Sequence, residues 1–218
     1  MRLLELFSGT QSVSRVARRQ GWECVCLDID PTYSPDLCMS VLDFDEQAYP
    51  RDSFDFVWGS PPCESYSNAN IRYSTDPGHE ATMAKADELV RKTKRIMDHF
   101  SSAAWVIENP LGSRLWRREV AQELGGRAHK VAYCQFGFKY RKLTRLQASF
   151  DLHLPTCPGP GKCAMMRGTK HLEYAQKGCG GAEPRYKKTA DLHRIPEPLV
   201  KEILRQWQNA FANGAAAS

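Results

Sequence analysis

The sequence predicts an α/β fold of the nucleotide-binding type, with a sheet that carries helices on both faces. Two observations support this prediction. Short apolar runs alternate along the chain with segments of helical periodicity, and several of the runs end in glycine, proline or an acidic residue. Because ligands of open α/β sheets bind at the carboxyl ends of the strands, the residues that end these runs are the candidate functional residues.

The composition is that of an ordinary globular protein, with 42% apolar and 25% charged residues in a chain of 218, enough for one domain. No apolar run approaches the ~20 residues of a membrane span, and the first run contains a charge and lacks a cleavage site. We therefore expect no membrane association, and an intracellular protein whose eight cysteines are reduced. The net charge of +5 permits a nucleic-acid partner without requiring one.

The first unit is a strand at residues 3–7, a Ser8-Gly9 turn and a helix with Val13 and Val16 on one face. Glycine lets the backbone approach a ligand closely, and the helix N-terminus offers free N–H groups to a carboxylate. Taken alone, Gly9 indicates a structural turn more readily than a ligand site.

The second strand, residues 23–30, ends in acidic residues. A carboxylate about twenty residues past the first turn is where such folds bind a ribose hydroxyl pair, and Asp28 and Asp30 are both candidates. For Asp30 a helix N-cap is an equally good interpretation. Residues 41–45 then form a short acidic loop after another brief apolar run.

The third strand, residues 54–58, runs into Gly59-Ser60-Pro61-Pro62-Cys63. The two prolines lack backbone donors and stop the strand, which predicts a stiff loop with a thiol at its tip. A cysteine in that position is a candidate nucleophile. The alternative is a buried structural cysteine, which needs neither the prolines before it nor the polar residues after it.

Residues 71–79 are polar and predict a mobile loop that closes over a substrate, and residues 81–99 have helical periodicity. The next strand, residues 103–110, ends in Glu108-Asn109-Pro110. Cys63 and Glu108 would then form a nucleophile and acid pair, because a carboxyl in a dry pocket can stay protonated. Residues 135–146 combine cations with aromatic rings and are the best nucleic-acid candidate in the chain.

Taken together, these motifs resemble the cytosine-5 DNA methyltransferase family. The segments that match the family's cofactor, nucleophile and cytosine-contact motifs are Leu6-Phe7-Ser8-Gly9, Pro61-Pro62-Cys63 and Glu108-Asn109. Arg141 and Arg145 lie where the family has its Gln-x-Arg-x-Arg segment, with a different spacing. Residues 192–203 resemble the last family motif.

The resemblance implies a Rossmann-like methyltransferase sheet, S-adenosylmethionine as cofactor and DNA as partner. It implies that Cys63 adds to cytosine C6, that Glu108 binds the ring at N3, and that Arg145 or Arg141 holds the base carbonyl or a phosphate. Asp28 would bind the ribose and Asp43 the adenine. The implied cofactor-binding residues are Phe7, Ser8, Gly9, Thr10, Asp28, Ile29, Asp43, Phe44 and Pro61.

The chain departs from the family pattern at three places. Gln11 or Ser12 stands where the cofactor motif has its second glycine, Glu64 replaces a glutamine, and Leu192-His193 replaces a Gly-Asn pair. The chain also resembles a short form with a reduced target-recognition region, which a partner chain could supply. Two alternatives stay open: an RNA (tRNA) cytosine-5 methyltransferase, and a non-catalytic regulatory homologue that binds cofactor or nucleic acid.

The segment 155–188 is rich in glycine and proline and contains Cys157, Cys163, His171 and Cys179. Three thiolates and one imidazole can close a tetrahedral zinc site; the alternative is a set of ordinary thiols in a disordered loop. We therefore predict a catalytic domain at 1–150, a reduced recognition or zinc loop at 151–190, a C-terminal helix at 191–212 that completes the catalytic domain, and a disordered tail at 213–218.

Overall fold

The structure is a computed structural model that describes residues 1–67, 77–173 and 193–215. Its main element is a seven-stranded sheet of order β3-β2-β1-β4-β5-β7-β6. In the described part of the chain, β7 is antiparallel to β5 and β6, and the other neighbouring strands are parallel. The strands are β1 (Arg2–Leu6), β2 (Glu23–Asp28), β3 (Leu37–Cys38), β4 (Phe56–Gly59), β5 (Ala104–Pro110), β6 (Arg127–Ala132) and β7 (Leu143–Ala148).

Helices cover both faces of this sheet, as the sequence predicts. They are α1 (Ser14–Arg19), α2 (Pro77–His99), α3 (Glu119–Glu123) and α4 (Glu197–Ala215). Side chains of a strand alternate between the two faces, so Leu3 packs with α1 and α4 while Leu4 packs with α2 and α3. The central strands are therefore largely apolar on both faces, which is why they appear in the sequence as apolar runs.

Several elements differ from the sequence prediction in their bounds. The predicted loop at 71–79 extends too far, because α2 already begins at Pro77 and buries His79. The rest of that loop lies outside the described residues. The segment between β5 and β6 contains a 3-10 turn, Arg114–Arg117, followed by α3. The last helix continues to Ala215, past the predicted boundary at 212.

The cysteine-containing segment after β7 is irregular, as predicted, apart from a small hairpin. Its strands are β8 (Met166–Arg167) and β9 (Lys170–His171), which pair antiparallel. Over the described ranges, no helix combines the length and the apolar character that crossing a bilayer requires.

Candidate active site and cysteine cluster

A cavity of about 340 Å³ lies at the carboxyl ends of β1, β2, β4 and β5. Residues from each of these strand ends line it, including Gly9, Asp28, Cys63 and Glu108. The sheet order places β4 between β1 and β5, so residues far apart in the sequence meet at one edge. This is the edge at which open α/β sheets bind their ligands.

Asp28 joins the turns that follow β1 and β2. Its Oδ2 accepts a hydrogen bond from the backbone N–H of Gly9 at 2.7 Å, and its Oδ1 accepts one from the N–H of Asp30 at 2.9 Å. Asp30 caps a 3-10 turn by accepting from the N–H of Thr32, which matches its alternative interpretation as a cap. Asp28 thus fixes the first turn and also lines the cavity.

The turn after β1 has three residues with positive φ: Phe7 at 56°, Gly9 at 43° and Gln11 at 54°. Gln11 therefore adopts the left-handed conformation that favours glycine, at one of the two positions where the family motif has its second glycine. Its side chain is held on both sides. Nε2 donates to the carbonyl of Tyr33 at 3.0 Å, and Oε1 accepts from Arg18 at 2.9 Å.

Glu5 is a buried carboxyl on β1 beneath this turn. It accepts hydrogen bonds from the backbone N–H groups of Val13 at 3.2 Å and Ser14 at 2.8 Å, where α1 begins. Burial raises the pKa of Glu5 to about 6, although these hydrogen bonds lower it. The free donors of the helix start are thus used within the fold.

On the β3 side, Ser40 and Val41 line the cavity, and Asp43 and Phe44 do not. Ser40 caps a 3-10 turn over Val41–Asp43, which directs Asp43 to solvent. Phe44 is buried in the core, where its ring stacks on Tyr49 with centroids 5.3 Å apart. Asp43 and Phe44, which the resemblance implies as cofactor-binding residues, therefore lie outside the lining of this cavity.

Cys63 lies in the loop after β4, at the N-cap of a 3-10 turn, Glu64–Tyr66. The Asn109 Nδ2 donates to the carbonyl of Pro61 at 2.8 Å and ties this loop to the end of β5. Burial, together with the charges of Glu64 and Glu108, raises the pKa of the Cys63 thiol to about 11, and the charge of Lys142 acts in the opposite direction.

Glu108 is buried at the end of β5, where a hydroxyl donor and an ammonium group lie beside its carboxyl group. The Tyr133 hydroxyl donates to Glu108 Oε1 at 3.2 Å, and Lys142 Nζ lies 3.9 Å from the same oxygen. Burial and the charge of Glu108 raise the pKa of Tyr133 well above its usual value, so its hydroxyl remains a donor. Within the described ranges, these two contacts both fall on Oε1, so Oε2 can meet a ligand.

The two arginines that the sequence singled out do not line this cavity. The Arg145 guanidinium lies over the Trp116 ring, 4.3 Å from its centroid, and donates to Gln147 Oε1 at 2.7 Å. Arg141 borders a pocket next to His171. Lys142, which sequence reasoning passed over, is the basic residue that reaches the cavity beside Glu108. Its position next to Arg141 in the same basic segment was the available signal.

A second cluster combines three cysteines and a histidine. The ligand atoms of Cys134, Cys157, Cys163 and His171 all lie within 4.8 Å of one another. The His171 Nε2 is 3.5 Å from Cys157 Sγ and 3.8 Å from Cys163 Sγ. Cys134, in the 3-10 turn that follows β6, is the fourth member of this cluster. Cys179, the fourth ligand that the sequence predicts, lies outside the described residues. The prediction from the sequence did not include Cys134, because this residue precedes the glycine-rich segment.

One of the comparisons with known proteins identifies the family of this chain. Frog virus 3 (isolate Goorha) encodes a protein named "Probable DNA (cytosine-5)-methyltransferase" that is 30% identical to this chain over 220 residues. The similarity covers 94% of this chain and 99% of that protein. No family model matches the chain.

Two solved structures have a similar fold. One is a DNA modification methyltransferase encoded within an E. coli prophage, with a TM-score of 0.50 and 17% identity, covering 70% of this chain and 49% of that one. The other is an Entamoeba histolytica methyltransferase, with a TM-score of 0.50 and 14% identity, covering 72% and 56%. The chain spans about half the length of these two proteins.

Proposed function

The chain belongs to the DNA (cytosine-5)-methyltransferase family, and on this premise we propose that it methylates cytosine at C5 through a covalent adduct on Cys63. The observation that carries this proposal is the convergence of Cys63, Glu108 and the Gly9 turn on one cavity. A thiol, a carboxyl and a turn that admits a ligand are the groups that this chemistry needs.

The cavity fits S-adenosylmethionine. Ser8 Oγ is buried and, among the described residues, has no hydrogen-bond partner, although Ser8 lines the cavity. An unpaired buried hydroxyl is costly and is therefore a good mark of a ligand position. We propose that Phe7, Ser8, Gly9, Thr10, Asp28, Ile29, Ser40, Val41 and Pro61 hold the cofactor, with Asp28 on the ribose. Bound there, the cofactor supplies an activated methyl group.

Cys63 and Glu108 would share the activation of the base. Addition of the Cys63 thiolate to C6 displaces the electron pair of the C5–C6 double bond onto C5, from which it is delocalised toward N3. C5 thereby becomes electron-rich. Glu108 gives a proton to N3 as this charge develops, and its carboxylate is then stabilised by the Tyr133 hydroxyl and by Lys142. After methyl transfer, loss of the C5 proton expels the Cys63 sulfur.

A basic groove beside the cavity supports a nucleic-acid partner. It shares Thr10 and Ile195 with the cavity and is lined by Arg15, Arg194, Phe136 and other residues of α1 and the segment before β7. Arginines can contact phosphates and an aromatic ring can stack on an unpaired base. A target cytosine in a duplex must leave the stack to reach Cys63, which costs a few kcal/mol.

The test is methyl transfer from labelled S-adenosylmethionine to DNA and, in parallel, to RNA. Cys63→Ala should abolish transfer and keep cofactor affinity, because the thiol acts on the base. Cys38→Ala, at an exposed thiol on β3, is the matched control and should stay active. DNA with 5-fluorocytosine should trap an adduct on Cys63. Transfer by Cys63→Ala, or an adduct on another cysteine, would refute the mechanism, and transfer to RNA alone would redirect it to RNA.

We further propose that Cys134, Cys157, Cys163 and His171 bind zinc. Tetrahedral zinc, with Zn–S bonds of about 2.3 Å and Zn–N bonds of about 2.0–2.1 Å, holds its ligand atoms about 3.5–3.8 Å apart. The 3.5 and 3.8 Å separations from His171 Nε2 match that spacing. The Gln135 amide donates to Cys163 Sγ at 3.5 Å, as expected of a group that orients a ligand.

Metal analysis of protein purified without chelator should give about one zinc per chain. Cys134→Ser should lose the metal and expose residues 155–173 to protease, since metal binding orders the segment. Cys179→Ser is the informative comparison, because the sequence alone favoured it and it should keep the metal. Zinc loss in Cys179→Ser together with retention in Cys134→Ser would reject this ligand set.

A further inference from the structure

Two of the residues that depart from the family pattern meet at the proposed nucleophile. His193 Nε2 lies 3.5 Å from Glu64 Oε1, and one ligand atom from each of Cys63, Glu64 and His193 lies within 4.8 Å of the other two. All three residues line the cavity. Glu64 directly follows Cys63, whereas His193 comes from the segment before α4, so the tertiary fold brings the imidazole to the thiol.

The thiol needs such a partner. With a pKa of about 11, Cys63 is almost wholly protonated at neutral pH, and a thiol is a poor nucleophile compared with its thiolate. A carboxylate charge on Glu64 or Glu108 opposes ionisation of the thiol, while the charge of Lys142 favours it. An imidazole can take up a proton near neutral pH, which neither the carboxylates nor the lysine does readily.

We infer that His193 is the general base that removes the proton from Cys63, and that Glu64 is a positioning residue which orients the imidazole. This inference rests on the proposed nucleophilic role of Cys63. Catalytic hydrogen bonds are often long without substrate, and rotation of the Cys63 and His193 side chains would close the remaining gap.

The proton balance of this step closes over one cycle. The S–H bond of Cys63 breaks and its proton passes to a ring nitrogen of His193 as the bond between sulfur and C6 forms. Glu108 gives a proton to N3. When the C5 proton leaves to solvent and the sulfur is expelled, the imidazolium returns its proton to the thiolate and N3 returns its proton to Glu108. Beyond the methylated base, the net products are S-adenosylhomocysteine and one released proton.

The groups that face this trio come from four parts of the chain. Glu64 lies in the Cys63 loop, Glu108 at the end of β5, and Lys142 just before β7. Arg194 follows His193 and faces the neighbouring basic groove. The pH profile of Cys63 reactivity therefore reports on all of these charges, and variants of His193 and Glu64 isolate the contribution of the pair.

The test is alkylation of Cys63 by iodoacetamide, followed by mass spectrometry in the enzyme without substrate. Wild-type reactivity should rise through the neutral range. His193→Asn should lose about tenfold or more of this reactivity near pH 7, and the difference from the wild type should narrow as the pH rises, because the thiol then ionises without a base. Cys38 serves as an internal reference thiol, and His153→Asn, at an exposed histidine, as the matched control.

Methyl transfer provides the second measurement. His193→Asn should slow transfer by about 10²-fold or more with unchanged cofactor affinity, and Glu64→Gln should cause a smaller loss. Added imidazole should restore part of the rate in His193→Gly, which a purely structural role does not predict. Wild-type alkylation and transfer in His193→Asn, or no rescue by imidazole, would overturn the inference. Transfer by Cys63→Ala would instead refute the proposed function, so the two failures are distinguishable.

Discussion

Replacing Glu5 with glutamine should remove a pH dependence from the stability of the fold. Glu5 is almost fully buried, with 3% of its surface exposed, and it accepts the N–H groups of Val13 and Ser14 where α1 begins. Its pKa is about 6 in the folded chain, against an ordinary value of 4.5. The folded state therefore binds this proton more tightly than the unfolded state does.

The sign and size of the effect follow from that difference. The free energy of unfolding falls as the pH rises from about 4.5 to about 6, because folding then holds a buried charge that the unfolded chain leaves in water. At 1.36 kcal/mol for each pKa unit, the difference of about 1.5 corresponds to about 2 kcal/mol. Below about pH 4.5 both states are protonated and the cost disappears; above about pH 6 it is constant.

The assay is urea unfolding of the wild type and Glu5→Gln over a series of pH values. The wild type should lose about 2 kcal/mol relative to the variant between the two limits. The comparison cancels the contribution of other carboxyl groups to the pH dependence of stability. One of them is Glu46, whose pKa is lowered by its hydrogen bond to Lys92 in spite of burial and which therefore acts in the opposite direction. Glu23→Gln, at an exposed residue, is the control. Parallel curves for wild type and Glu5→Gln would refute the reasoning.

Two further predictions concern the cofactor site and the packing of the sheet. Asp28→Ala should weaken cofactor binding by about 1.5–3 kcal/mol, because a charged acceptor is lost, and unchanged affinity by calorimetry would reject its proposed contact. Gly126→Ala should destabilise the chain by about 1–3 kcal/mol more than Gly125→Ala, as measured by urea unfolding. Both glycines have positive φ, but only at Gly126 would a Cβ meet the Ala148 carbonyl oxygen, at 2.4 Å; equal losses would contradict this.

The central strands could be predicted because burial on both faces makes them continuous apolar runs with clear ends. Strand β4 stops at Gly59 before two prolines, and β5 ends at Pro110. Helix α2 was recognisable from its periodicity over most of its length. Strand β7 was not, because Arg145 on that strand makes the segment look like a nucleic-acid surface. The stacking of Arg145 on Trp116 depends on a tertiary contact that local composition cannot show.

The same distinction applies to the site. Cys63, Glu108 and Asp28 each follow a strand within a few residues, so a rule about strand ends is enough to nominate them. The sequence prediction assigned no role in a site to Lys142, Cys134 or His193. Lys142 reaches Glu108 because β7 runs antiparallel beside β5. Cys134 approaches Cys163, which lies in the segment that follows β7. Such contacts depend on the topology: the local sequence marks Lys142 as part of a basic segment but does not show which residue it contacts.

The departures from the family pattern also take on a physical meaning in the folded chain. Gln11 adopts the backbone conformation of a glycine and is held there by Tyr33 and Arg18, so a glycine is replaced without changing the turn. Glu64 and His193 lie together at the thiol. A lone carboxylate beside Cys63 would only hinder its ionisation, whereas a carboxylate that pairs with an imidazole can support transfer of the thiol proton. The two substitutions are therefore better understood as one paired change at the nucleophile than as two separate losses.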